Sequence, residues 1–139
     1  MTFSHFAPVS KIISLPLFTE RIPCGFPSPA QDYIEDVIDL NALVIQHPSA
    51  TFFVRASGDS MTGAGIDEGD LVVVDRSLHA THGDLVIAYL DGEFTLKELR
   101  TRPELQLVAH NVNYPPIRIH NEDELEIFGV VTFTVKPHK

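Results

Sequence analysis

The sequence has little of three things: cysteine, basic residues and long apolar runs. Its single cysteine, Cys24, excludes an intramolecular disulfide. No stretch approaches the ~20 apolar residues that cross a bilayer. The first residues also lack the basic start and the continuous apolar core of a secretory signal. We therefore expect a cytoplasmic protein that is not anchored in a membrane.

Basic residues are outnumbered by acidic ones. Ten Lys and Arg stand against nineteen Asp and Glu, which gives a formal net charge of −9. A surface of this sign repels phosphate backbones. We therefore expect no direct nucleic-acid binding, and any role on DNA would require protein partners. The length of 139 residues and the 44% apolar content fit one soluble folded domain.

Proline is unevenly distributed along the chain. Half of the ten prolines lie in residues 1–30, which disfavours a helix or a central strand there. We predict an extended N-terminal arm over residues 1–30 and a compact body over residues 31–139. The apolar spacing of Tyr33, Val37 and Leu40 predicts at most one short helix, within residues 30–43.

Short β-rich runs alternate with turn residues from residue 51 onward. They are TFFVRAS, DLVVVD, DLVIAYL, EFTLKEL, ELQLVA, IRIH and LEIFGVVTFTV. Runs of this kind predict a mainly β fold with a single compact β body. Asp91-Gly92 lies between two of them, and this dipeptide is favoured in two-residue hairpin turns.

The hairpin turn fixes a register for the two strands that it joins. If Leu90 faces Glu93, then Lys97 lies opposite Val86 on one face of the sheet. Thr95 then lies opposite Ala88 on the same face. The register therefore places Lys97 beside apolar neighbours.

Three features could carry chemistry: Gly58-Asp59-Ser60-Met61 after a strand, Lys97 in the hairpin, and Cys24-Gly25 in the arm. Each is weak alone, since a serine after a strand is usually a turn residue and a strand lysine usually faces solvent. A serine becomes a nucleophile when a neighbour removes its proton, and lysine does so only as the neutral amine. An ordinary lysine, with a pKa of ~10.4, is neutral in only about 0.04% of molecules at pH 7. Burial beside apolar residues would lower that pKa.

Extended stretches of the chain resemble a known family. PCGFPSPAQDYIEDVIDLNALVIQHPSATFFVRASGDSM, DEGDLVVVDRSLHATHGDLVIA, DGEFTLKEL and FGVV are similar to the self-cleaving serine-lysine peptidases of the LexA/UmuD family, and to its UmuD branch in particular. The similarity covers essentially the whole chain. It implies a β body like those of LexA and signal peptidase.

The resemblance also implies roles for individual residues. Ser60 falls on the nucleophile, Lys97 on the general base and Cys24-Gly25 on the scissile bond. We expect the backbone amides of Asp59 and Ser60 to stabilise the oxyanion of the tetrahedral intermediate. No cofactor is implied.

The partners implied by the family belong to the SOS response to DNA damage. A RecA filament on single-stranded DNA would stimulate the self-cleavage. The shortened product, residues 25–139, would form a homodimer and act as the accessory subunit of an error-prone translesion polymerase with UmuC. Cleavage would thus switch the function of the chain.

Other interpretations remain at this point. A LexA-like repressor would need a DNA-binding domain before the cleavage site, and the 24 proline-interrupted residues before Gly25 do not fit one. Signal peptidases share the chemistry but require a membrane anchor. A non-enzymatic polymerase-binding module is the alternative from another class. His79, His82 and Asp84 have local spacing that a metal could use, but we interpret this segment as a solvated loop without metal.

Overall fold

The structure is a computed structural model that describes residues 12–18, 21–22, 24 and 34–139. Tertiary contacts divide the chain into two units, residues 1–43 and residues 44–139. The predicted arm of residues 1–30 falls largely outside the described residues. Its boundary near residue 30 therefore stays a prediction.

The N-terminal unit contains a two-stranded antiparallel sheet. Strand β1 (Ser14–Phe18) pairs with β2 (Ile34–Asp39). Pro16 lies within β1, where the absence of its N–H is tolerated because each strand of a two-stranded sheet has one unpaired edge. The sequence analysis predicted no strand in either segment.

The prediction of a short helix within residues 30–43 holds only for the end of that segment. Residues 34–39 form β2, and only α1 (Leu40–Val44) is helical. Residues 30–33 lie outside the described residues. A helical spacing of three apolar residues is a weak preference, and pairing with β1 overrides it.

The other helices of the described residues are single 3₁₀ turns at Pro48–Ala50, Thr62–Ala64 and Glu122–Glu124. In the part of the chain that the structure describes, no helix is long and apolar enough to span a membrane. The prediction of at most one short α-helix is therefore confirmed.

The body, residues 44–139, is a seven-stranded antiparallel sheet. Its strands are β3 (Thr51–Arg55), β4 (Leu71–Asp75), β5 (Leu85–Leu90), β6 (Glu93–Arg100), β7 (Gln106–Val108), β8 (Ile117–Arg118) and β9 (Leu125–Val135). They are arranged in the order β3-β4-β9-β5-β6-β7-β8. Each predicted β-rich run overlaps one of these strands, so the mainly β fold is confirmed.

Two buried clusters form the core of the body. The first consists of Met61, Ile66, Val72, Val74 and Ile87, and the second of Val86, Ala88, Leu99, Leu107 and Val130. The long strand β9 pairs with β4 on one side and with β5 on the other. The clusters contain residues of β4, β5 and β6, and they stabilise the sheet that carries the candidate site.

The β5–β6 hairpin has the predicted register. Asp91 and Gly92 both have positive φ, 51° and 80°, as the two-residue turn requires. Val86 pairs with Lys97 and Ala88 pairs with Thr95. The position of Lys97 in the fold was thus correctly predicted from the turn alone.

Candidate active site

Ser60 lies on a loop that leaves β3. We call residues 56–61 the serine loop. Gly58 turns the chain with a φ of 83°, a conformation that glycine adopts without strain. Met61 is buried in the first core cluster, and its carbonyl accepts hydrogen bonds from the amides of Ala64 at 3.0 Å and Ile66 at 3.2 Å. The half-buried Ser60 therefore sits between a tight turn and a buried anchor.

Lys97 reaches Ser60 from strand β6. Its Nζ lies 3.2 Å from Ser60 Oγ, 2.7 Å from Thr95 Oγ1 and 3.1 Å from the carbonyl oxygen of Leu96. Its ladder partner Val86 is fully buried. The fold thus brings together the two reactive side chains that the sequence analysis singled out.

The burial of Lys97 makes its ammonium easier to deprotonate. Burial lowers the pKa of Lys97 below its ordinary value, because the ammonium loses hydration. A neutral lysine amine has two N–H donors and one lone pair. As the ammonium, Lys97 donates to all three oxygens. As the neutral amine, it can donate to Thr95 Oγ1 and the Leu96 carbonyl and accept the Ser60 hydroxyl proton on its lone pair.

The pair lies in a cleft with a volume of about 240 Å³. Arg55, Ser57 and Thr95 contribute polar groups to its lining. The apolar side chains that line it are Val54, Ala56, Met61, Ile66, Ile87, Phe94 and Leu96. An apolar lining disfavours charge in the cleft and strengthens electrostatic interactions within it. The arrangement is suited to proton transfer from the serine hydroxyl to the lysine amine.

The other predicted site residues are only partly described. Cys24 is exposed, with its Sγ 4.0 Å from the carbonyl oxygen of Ile22, and Gly25 lies outside the described residues. The meeting of the Cys24-Gly25 bond with Ser60 therefore stays a prediction. Within the described residues, no backbone hydrogen bond uses the amide of Asp59 or of Ser60 as donor. These two amides remain candidates for the oxyanion site.

The sequence analysis missed three residues that contact the site. Thr95 contacts Lys97 Nζ, and the hairpin register already placed it two residues away on the same face. Asn111 and Tyr114 both hydrogen bond to Asp59, the residue before Ser60. No sequence signal links residues so far apart, so only the fold could reveal them.

Two of the three residues that were considered for a metal, His82 and Asp84, have other contacts. His82 Nδ1 accepts a hydrogen bond from the amide of Thr101 at 3.0 Å. Asp84 Oδ2 accepts one from the amide of Thr81 at 2.9 Å. In the described part of the chain, no three His, Cys, Asp or Glu side chains are grouped as metal ligands would be.

Comparison with known proteins identifies the family. The profile of the family described as peptidase S24-like matches residues 16–132. The chain belongs to the S24-like peptidase family. The sequence-based recognition of a LexA/UmuD-type peptidase is therefore confirmed.

Individual relatives within the S24 family are similar over most of their length. Protein SamA of Salmonella typhimurium is 56% identical over 117 residues, which cover 84% of this chain and 81% of SamA. Protein MucA of Escherichia coli is 45% identical over 130 residues, which cover 93% of this chain and 89% of MucA. The LexA repressor of Oleidesulfovibrio alaskensis is 39% identical over 121 residues, which cover 86% of this chain and 58% of the repressor.

Proposed function

We propose that this chain is a serine peptidase that cleaves its own Cys24-Gly25 bond, with Ser60 as nucleophile and Lys97 as general base. The observation that carries the proposal is the 3.2 Å separation of Ser60 Oγ from Lys97 Nζ, at a lysine whose pKa is lowered by burial. Membership of the S24-like family supports peptidase activity. The resemblance to UmuD supports the chain itself as the substrate.

The reaction proceeds through an acyl-enzyme. Neutral Lys97 accepts the Ser60 hydroxyl proton as Oγ attacks the carbonyl carbon of Cys24. The amides of Asp59 and Ser60 donate hydrogen bonds to the resulting oxyanion. Lys97 then gives its proton to the Gly25 nitrogen as the peptide bond breaks. A water molecule, deprotonated by Lys97, hydrolyses the ester between Ser60 and Cys24 and restores the enzyme.

The scissile bond can reach a serine in its own chain or in a second copy. Thirty-six residues separate Cys24 from Ser60, a length of chain that extends up to ~120 Å. An attached substrate would be cut at once unless access to Ser60 or deprotonation of Lys97 were limiting. Self-cleavage is therefore an event that an activator controls.

The activator in this proposal is a RecA filament on single-stranded DNA, formed after DNA damage in the cytoplasm. The product, residues 25–139, forms a homodimer and joins UmuC in error-prone translesion synthesis. The UmuD resemblance supports these partners, and SamA and MucA match this chain along most of their length. The net charge of −9 favours contact with a protein filament over contact with DNA itself.

A mass-spectrometric time course tests the proposal. Purified full-length chain is incubated at pH ~9 to 10, where lysine deprotonates readily, and at neutral pH with and without an activated RecA filament. We expect one product that lacks residues 1–24. Ser60→Ala and Lys97→Ala should give none. Exposed residues outside the cleft provide matched controls, so Ser49→Ala and Lys139→Ala should cleave like the wild type.

Two outcomes would replace the proposal by one of the alternatives. Absence of cleavage in the wild type under every condition would favour a polymerase-binding module without peptidase activity. Efficient turnover of a separate Cys-Gly peptide by the wild type would favour a general protease. Continued cleavage at residue 24 in Ser60→Ala would exclude the serine mechanism.

A further inference from the structure

The loop of residues 110–114 forms hydrogen bonds with the chain on both sides of Ser60. Asn111 Nδ2 donates a hydrogen bond to the main-chain carbonyl of Asp59 at 2.9 Å, and Tyr114 Oη donates one to Asp59 Oδ1. Beyond Ser60, the amide of Gly63 donates to the carbonyl of His110 at 2.8 Å. A Cβ at Gly63 would lie only 2.5 Å from that carbonyl oxygen, so the two backbones are in close contact.

The orientation of the Asn111 side chain is fixed at both ends. Its Oδ1 accepts a hydrogen bond from the amide of Asn113 at 3.0 Å while its Nδ2 donates to Asp59. A reversed amide group would set donor against donor and acceptor against acceptor. The Asn111 backbone is also held, because its carbonyl accepts from the amide of Tyr114 at 3.1 Å. Asn111 is thus a rigid donor that faces the Asp59 carbonyl.

The carbonyl that Asn111 holds belongs to the same peptide unit as the Ser60 amide. In a planar trans peptide the C=O and the N–H point in opposite directions, so fixing one fixes the other. A hydrogen bond accepted by the carbonyl also polarises the peptide unit and strengthens its N–H as a donor. Oxyanion donors accelerate a reaction when they are aimed before charge develops.

We propose that Asn111 is a positioning residue that aims the Ser60 amide at the oxyanion of the tetrahedral intermediate. This inference rests on the proposed self-cleavage function and adds a residue that acts through the Asp59-Ser60 peptide. Asn111 itself does not touch the reacting atoms.

Tyr114 has a different effect, because it contacts the Asp59 side chain and not the peptide unit. Its hydroxyl steadies the loop without fixing the direction of the Ser60 N–H. The hydrogen bond to Asp59 raises the pKa of Tyr114, which favours the protonated hydroxyl that donates it. Tyr114→Phe therefore removes a contact that stabilises the loop but keeps the hydrogen bond that orients the Ser60 amide.

The test measures self-cleavage rates of the full chain between pH ~7 and ~10.5. We expect Asn111→Ala to lower the plateau rate about 10- to 100-fold, somewhat less than the loss of a whole oxyanion donor. Asn111→Asp should lose at least as much, because a carboxylate cannot donate to a carbonyl. The pH midpoint should stay at the wild-type value in Asn111→Ala, since the contacts of Lys97 are unchanged, whereas the added carboxylate of Asn111→Asp favours the lysine ammonium and raises the midpoint. Tyr114→Phe should lose only a few-fold.

Asn113→Ala is the matched control in the same loop. Within the described residues, Asn113 forms a hydrogen bond only through its backbone amide, which the substitution keeps. It should cleave at the wild-type rate. Urea unfolding of each variant checks that the fold is intact. A wild-type plateau in Asn111→Ala and Asn111→Asp, or a shifted pH midpoint in Asn111→Ala, would overturn the inference alone. Absence of cleavage in the wild type would overturn the proposed function and this inference together.

Discussion

The two-stranded sheet of β1 and β2 and the seven-stranded sheet of the body differ in how their strands are stabilised. All five residues of β1 are exposed, whereas residues 72–75 of β4 are buried. A two-stranded sheet alone is only marginally stable in water, whereas a seven-stranded sheet with two buried clusters is stable by itself. This difference suits the proposed function, because the Cys24-Gly25 bond has to reach Ser60 while Ser60 and Lys97 keep their geometry.

The largest test of this comparison removes one leucine side chain from each unit. Leu107 in β7 is 0% exposed, and Leu15 in β1 is 63% exposed. We expect Leu107→Ala to lower the free energy of unfolding by about 2 to 5 kcal/mol, since it leaves a cavity in the second core cluster. Leu15→Ala should change it by less than about 0.5 kcal/mol. Urea unfolding in a Ser60→Ala background measures both without self-cleavage.

Equal losses in the two leucine variants would contradict the comparison. They would show that β1 contributes to the cooperative fold as much as β7 does. Native-state hydrogen exchange provides a second measurement, in which the amides of β4 should exchange far more slowly than those of β1.

A smaller effect is expected from adding a single methyl group. Gly129 lies in β9, and a Cβ there would come within 2.5 Å of Cγ1 of the buried Val74. Gly129→Ala should lower the free energy of unfolding by about 1 to 3 kcal/mol, because the packed core must shift. Ser14→Thr adds one methyl to exposed β1 and should stay within about 0.5 kcal/mol.

The urea midpoints of these two variants decide whether close packing is confined to the body. A large loss in Ser14→Thr would show that β1 is also closely packed. No loss in Gly129→Ala would show that β4 and β9 can separate enough to admit a methyl group.

The body could be predicted from sequence because its information is local. Short β-rich runs bounded by turn residues marked each of its strands, and the Asp91-Gly92 turn placed Lys97 opposite Val86. Strand β2 could not be predicted, since its partner β1 lies sixteen residues earlier in the chain and local spacing favoured a helix. The contact of Asn111 with Asp59 joins residues 52 positions apart in the chain. Such contacts depend on how loops meet after the sheet has formed.

The resemblance and the structure identify the same pair by independent routes. Sequence similarity assigned Ser60 and Lys97 without any geometry. The fold places their side chains 3.2 Å apart with no reference to similarity.

The smallest expected effect concerns the cost of burying Lys97, measured as the free energy of unfolding. Burial lowers the pKa of Lys97, so between the lowered pKa and ~10.5 the unfolded chain binds more protons than the folded one. Stability contributed by this site therefore rises with pH across that window. In a Ser60→Ala background, Lys97→Met should raise the free energy of unfolding at pH 7 by up to about 1 kcal/mol, allowing for solvent screening of the half-buried amine.

The gain in Lys97→Met should shrink as the pH rises toward ~10.5 and level off above it, where the amine becomes neutral in both states. Urea unfolding at pH 7 and at pH ~10 measures the difference, with Lys139→Met as the exposed control. A loss of stability in Lys97→Met at pH 7 would show that the contacts with Thr95 and Leu96 outweigh the cost of burying the charge. The lysine would then be stabilised as a cation, and an activator would have to deprotonate it before Ser60 could react.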